Sequence, residues 1–154
     1  MSEPRIPYTN SIVFAAEYIS RASKEYVRKI IKDYNFPIGY EEHIILDTVF
    51  FYPGCIQMEI AKKVCMQRSY LCKILTKLED DGLIKREKKI KGKRQVVLSV
   101  YITPKGEELY KRMHSVFKKE ILNKQIVDTE KIREITKELF KMGDDLVNTF
   151  NLKL

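Results

Sequence analysis

The chain has no tryptophan, two histidines, six glycines and five prolines in 154 residues. It also lacks any apolar run approaching the ~18 residues that a membrane-spanning helix requires, so no membrane partner is expected. The opening residues, MSEPRIPYTNS, show no basic segment followed by an apolar one and do not read as a secretion signal. The three cysteines, Cys55, Cys65 and Cys72, are odd in number and form no CxxC pair. That excludes a disulfide framework and points to free thiols in a reducing cytoplasm. His43 and His114 stand far apart with no Cys, Asp or Glu at ligand spacing, so neither a metal nor a cofactor is expected. P-loop, GxGxxG and GxSxG motifs are absent. Glu41-Glu42 and Asp80-Asp81 read as helix-end charges rather than a catalytic pair. An enzyme is therefore not the expected reading.

What is present is charge, and it is concentrated. The net charge is +8. Between Lys62 and Arg94 there are twelve Lys or Arg residues against four Asp or Glu, while the remainder holds seventeen of each sign. The whole excess thus lies in one window. A localised positive potential of this kind is the footprint of a nucleic-acid binder. Its densest part, Arg86–Gln95, reads REKKIKGKRQ. Taken alone, that stretch fits a disordered basic run, a solvated face or a shaped contact for a polyanion.

The surrounding periodicity narrows the choice. Apolar residues at helical spacing predict a helix within 9–36, capped by Thr9 or Asn10. Shorter helices follow in YEEHIILDTVFF, at 56–65 and at 68–81, where Gly82 takes the position after the helix end. The period then falls to two: Val96, Leu98, Val100 and Ile102 share one face of a strand, with Leu83–Ile90 as its partner and Gly92 near the hairpin tip. Thr103-Pro104 restarts a helix as N-cap and first residue. Asp128 caps a last helix. The expected fold is mainly α with a small β-hairpin (α+β). The expected division is an N-terminal helical region 1–37, a central lobe 38–106 and C-terminal helices 107–154. The terminal helices are apolar on one side, which suits pairing with a second copy in a two-fold homodimer.

Ile60-Ala61-x-x-Val64-x-Met66 followed by Leu71-x-x-Ile74 is the apolar spacing of a helix-turn-helix, with Ala61 at the crossing. Projected at about 100° per residue, the second helix gathers Leu71, Ile74, Leu75 and Leu78 on one side. Ser69, Lys73, Thr76 and Lys77 fall on the other, flanked by Tyr70 and Cys72. That outer face suits phosphate and base-edge contacts in a major groove. Cys65 occupies a turn position that often holds glycine, and is expected to be small and buried. Cys65 and Cys72 both have basic neighbourhoods, the setting in which a thiol oxidises readily, so both are candidate redox-sensitive residues.

At these residues the chain resembles the MarR/SlyA-type winged helix-turn-helix transcription regulators. The resemblance covers about residues 40–106. It rests on MEIAKKVCMQRSYLCKILTKLEDDGLIKRE and ITPKGEEL, within which Leu78-Glu79-Asp80-Asp81-Gly82-Leu83 and Ile102-Thr103-Pro104-Lys105-Gly106 match the family's anchors. It implies a winged lobe flanked by dimerisation helices and a ligand- or stress-responsive repressor. Such a repressor binds double-stranded DNA at a pseudo-palindromic site, with a small anionic or aromatic effector as a further partner. The implied recognition-helix contacts are Arg68, Ser69, Tyr70, Lys73, Thr76 and Lys77. The implied wing contacts are Lys89, Lys91, Lys93 and Arg94, with Arg94 directed at the minor groove. One departure stands out. Where the family carries Asp-x-Arg at the wing, this chain has Gly92-Lys93-Arg94, without the acid. Such a wing trades sequence reading for charge-driven affinity, which favours the alternative of a non-specific or architectural nucleic-acid binder.

Overall fold

The computed structural model describes residues 8–92, 95–123 and 129–152. Among them are six α-helices and one two-stranded antiparallel sheet: α1 Ile12–Asp33, α2 Tyr40–Phe51, α3 Gln57–Lys63, α4 Arg68–Asp80, β1 Ile84–Lys91, β2 Gln95–Ile102, α5 Pro104–Asn123 and α6 Thr129–Phe150. The mainly helical class, the hairpin and the element order expected from periodicity are all present. No helix among the described residues is long and apolar enough to cross a membrane. Internal contacts divide the chain into Met1–Ile44 and Ile45–Leu154, with the boundary inside α2.

In the first unit, α1 is capped by Ser11 rather than by Thr9 or Asn10. Its hydroxyl accepts from the Phe14 amide at 3.2 Å. A short 3-10 turn, Tyr8–Asn10, takes up the expected cap residues and moves the helix start to Ile12. Ile30 and Ile31 are buried near the end of α1, whereas Ile12, Val13, Tyr18 and Ile19 are exposed.

The second unit holds the core. Ile45, Leu46 and Val49 of α2, Ile60 of α3, Leu71, Leu75 and Leu78 of α4, Ile84 and Val100 of the hairpin, and Met113 of α5 are all essentially inaccessible. Burying each such side chain contributes about 1.5–3 kcal/mol. Three connections fix the lobe. First, α4 closes with Gly82 at φ +72°, the Gly82 amide donating to Glu79 and the Leu83 amide to Leu78. This left-handed closure needs a residue free of Cβ strain. It also explains why β1 starts at Ile84 instead of Leu83: Leu83 is spent on ending the helix. Second, Thr103 caps α5 by accepting from the Gly106 amide at 3.1 Å, while its hydroxyl donates to the Gly82 carbonyl at 2.7 Å. Third, a Cβ at Gly106 would lie 2.0 Å from the Leu83 carbonyl oxygen, so only glycine permits this approach. The expected Asp128 cap lies outside the described residues.

The hairpin pairs Ile84 with Ile102 through to Lys91 with Gln95. The α2–α3 connection adds to its edge. The Gly54 amide donates to the Val100 carbonyl at 2.8 Å, and the Val100 amide donates to the Cys55 carbonyl at 3.0 Å. Ile56 bridges Ser99. This extra edge buries Ser99, a polar strand residue that alternation alone places toward solvent.

Candidate nucleic-acid interface

The helix-turn-helix comes from α3 and α4. Ala61 and Ile60 meet Leu71, Ile74, Leu75 and Leu78 in the buried layer, as the apolar spacing requires. The turn is a second left-handed closure. Cys65 has φ +49°, its amide donates to Lys62, and the Met66 amide donates to Ala61 at 2.9 Å. This corrects the expectation of a buried Cys65. A residue in this conformation sits beyond the last packed turn, and the thiol is exposed, donating to the Lys62 carbonyl at 3.8 Å. An open cavity of about 460 Å³ lies over the turn, with Met58, Cys65, Met66 and Arg68 among its lining residues. Cys72 is also exposed, its thiol 3.7 Å from the Gln57 side-chain carbonyl. Cys55 is the buried one, and burial pushes its thiol up from the ordinary value.

Arg68, Ser69, Tyr70, Lys73, Thr76 and Lys77 are all exposed on α4; Ser69, Lys73, Thr76 and Lys77 lie opposite its leucines, with Arg68 and Tyr70 to the sides. The hairpin treats its cations differently. On β1, Lys85 pairs with Glu87 at 2.7 Å. Lys89 donates to the Tyr101 hydroxyl and lies over that ring, 4.8 Å from its centroid. Arg86 is bound to Glu79 of α4, and its side chain is only 17% exposed. Its bond holds the Glu79 carboxyl below the usual range. The backbone of Lys91 ends β1 opposite Gln95. Lys93 and Arg94 lie outside the described residues, as does the side chain of Lys91. Near the tip, Ile90 and Val96 face each other across the strands and are both exposed.

The structure therefore leaves all six helix positions exposed, four of them on the face opposite the leucines, and leaves Lys89 exposed but tied to Tyr101. Two features were not read from the sequence: the Arg86–Glu79 contact and the third, edge-forming segment at Cys55–Ile56. Neither has a periodic signal, because both depend on how separate elements meet. Among the described residues, no group of His, Cys, Asp and Glu is arranged to hold a metal.

Tyr110 of α5 donates to Asp47 of α2 at 2.9 Å and stacks on Phe50 with centroids 4.3 Å apart. Burial, reinforced by this bond to a carboxylate, pushes the Tyr110 hydroxyl well above its ordinary value. Phe51 and His114 also contact this ring.

A family model described as the MarR family matches residues 40–96. The homoprotocatechuate degradative operon repressor of Escherichia coli is 30% identical over 103 residues, covering 67% of this chain and 67% of that protein. The HTH-type transcriptional regulator BilQ of Clostridium symbiosum is 38% identical over 65 residues. That match covers 42% of this chain and spans under half, 44%, of the regulator's length. The crystal structure of NadR in complex with 4-hydroxyphenylacetate superimposes with a TM-score of 0.73 at 23% identity, covering 90% of this chain and 96% of that one.

Proposed function

The chain belongs to the MarR family of transcriptional regulators, and from that premise we propose that it is a sequence-specific DNA-binding regulator acting as a homodimer, most simply a repressor. The observation that carries this reading is α4. Its leucines are buried, its opposite face exposes Ser69, Lys73, Thr76 and Lys77, and Arg68 and Tyr70 are exposed to the sides of that face, in a chain with a cationic hairpin. In this reading α4 enters a major groove, where lysines hold phosphates and Ser69 and Thr76 reach base edges. The hairpin follows the backbone toward the minor groove, with Lys91, Lys93 and Arg94 at its end.

The homodimer is supported by apolar residues that a single chain leaves uncovered. On α6 these are Ile132, Ile135, Leu139, Leu146 and Phe150, and on α1 they are Ile12, Val13 and Ile19. Apolar stripes of this extent mark an interface. A two-fold dimer reads half-sites about one turn, ~34 Å, apart. The structural likeness to NadR with its bound 4-hydroxyphenylacetate supports an aromatic acid as effector.

Selection of bound fragments from a random duplex pool at about 150 mM salt tests the reading. A specific regulator recovers a pseudo-palindrome and prefers it over random duplex by ~10³ or more. Recovery of no common sequence, with a steep salt dependence, favours the charge-driven architectural binder to which the missing wing acid points.

A further inference from the structure

We propose that Glu79 and Arg86 are positioning residues that set the angle between the recognition helix and the wing, and that Arg86, despite lying in the most basic stretch of the chain, does not contact DNA. This rests on the reading of α4 and the hairpin as the DNA-contacting elements.

Three donors of Arg86 converge on one carboxylate. The Arg86 backbone amide donates to Glu79 Oε1 at 2.9 Å, Nε donates to Oε2 at 2.9 Å, and Nη2 also donates to Oε2. Nη2 reaches Thr76 Oγ1 as well, at 3.3 Å. The Arg86 amide points away from β2, toward what would be an open strand edge. Glu79 supplies the acceptor that a third strand would otherwise provide on that side. The contact spans the last turn of α4 and the third residue of β1, across a link of three residues that includes Gly82. Short links fix distance but not angle. Here Nε and Nη2 of the planar guanidinium close on one carboxylate oxygen while the Arg86 backbone amide holds the other, and three donors on one carboxylate fix the angle because few orientations satisfy them together. Two elements that enter different grooves of one duplex must keep that angle to engage together. Thr76, an expected base-reading residue, is held by the same fork, so the clamp also orients a side chain on the reading face.

The charge arithmetic makes the test sharp. Glu79→Gln removes a negative charge from the binding lobe. If charge alone governed affinity, or if Arg86 were a phosphate contact held in reserve, this variant would bind DNA more tightly and with a steeper salt dependence. The clamp requires the opposite sign. Arg86→Lys supplies the second arm. A lysine substitutes for a phosphate-contacting arginine but cannot form the fork.

Binding of both variants to the selected duplex and to random duplex is measured across salt concentrations, on protein whose fold is verified by melting. For each, the expected result is an affinity for the selected duplex weaker by roughly tenfold, a smaller loss on random duplex, and a salt slope within about 0.3 of the parent. Uniform destabilisation would weaken both duplexes alike, which would overturn a positioning role. Tighter binding by Glu79→Gln, or unchanged binding by Arg86→Lys, would also overturn it. Where Glu79→Gln does not fold, Glu79→Asp, which keeps the charge and shortens the reach, is expected to show the same selective loss. A parent protein that binds no duplex would instead overturn the DNA reading itself.

Discussion

Helix α4 carries three cations in thirteen residues and strand β1 five in eight, and the two elements put them to different use. On α4, Arg68 and Lys73 are exposed while the leucines of the helix are buried. On β1, Lys85 is paired with Glu87, Arg86 with Glu79 and Lys89 with the Tyr101 hydroxyl. Net charge adds these residues together, but a phosphate does not. A cation already paired with a carboxylate, or held to another group on the protein, must give up that contact to neutralise a phosphate, so it displaces fewer of the counterions condensed on DNA. The comparison teaches that the positive window has a working face and a supporting edge. In the proposed reading the hairpin's contribution then falls to Lys88, which is exposed on β1, and to Lys91, Lys93 and Arg94 after it.

The largest effect should come from removing what lies under the working face. Leu75 is fully buried on α4. Leu75→Ala should cost about 2–5 kcal/mol in chemical denaturation and weaken DNA binding with it. If stability barely changes, α4 is not seated on this core. Next in size is the wing tip. Replacing Lys91, Lys93 and Arg94 together with Ala should lower the salt slope by about two to three units. An unmoved slope would remove the hairpin from the DNA. A smaller effect belongs to the turn that joins the two helices. Cys65 adopts a left-handed backbone, which costs a residue with a Cβ about 1–2 kcal/mol, while glycine gives back part of that gain as unfolded-state entropy. Cys65→Gly should therefore raise stability by about 0.5–1 kcal/mol, read as an upward shift in the unfolding midpoint. A fall would mean that the thiol is needed where it stands.

The smallest effect is one of pH. Arg86's hydrogen bonds hold the Glu79 carboxyl below its usual range. A carboxyl depressed in the folded state stabilises the fold above its unfolded value, near pH 4.3, and loses that contribution as pH falls through the folded value. The stability difference between parent and Glu79→Gln should thus be flat near neutrality and shrink below about pH 4. A difference that grows on acidification would contradict the clamp's electrostatics.

Much of this was legible in the sequence, for a physical reason. The leucine side of α4, the period-two strand, Gly82 and the Thr103-Pro104 start are local signals, and local signals survive folding because each element needs them to form. The same periodicity located an apolar stripe on α6, but it does not name what covers that stripe. Leu75 is buried within the chain while Leu139 and Leu146 are left exposed. Charge was the least legible property. REKKIKGKRQ reads as a uniform basic arm, yet Arg86 within it faces a carboxylate seven residues earlier in the chain. Cys65 misled in the opposite direction. Its small side chain suggested burial, whereas its backbone conformation places it outside.

The contrast between helix and strand can be measured directly with two variants of equal charge change. Arg68→Gln/Lys73→Gln removes two cations from α4, and Lys85→Gln/Lys89→Gln removes two from β1. The salt dependence of binding to one duplex is compared for both. The account predicts that the helix pair lowers the slope by about 1.8 units and the strand pair by well under one. Equal losses for the two pairs would contradict it.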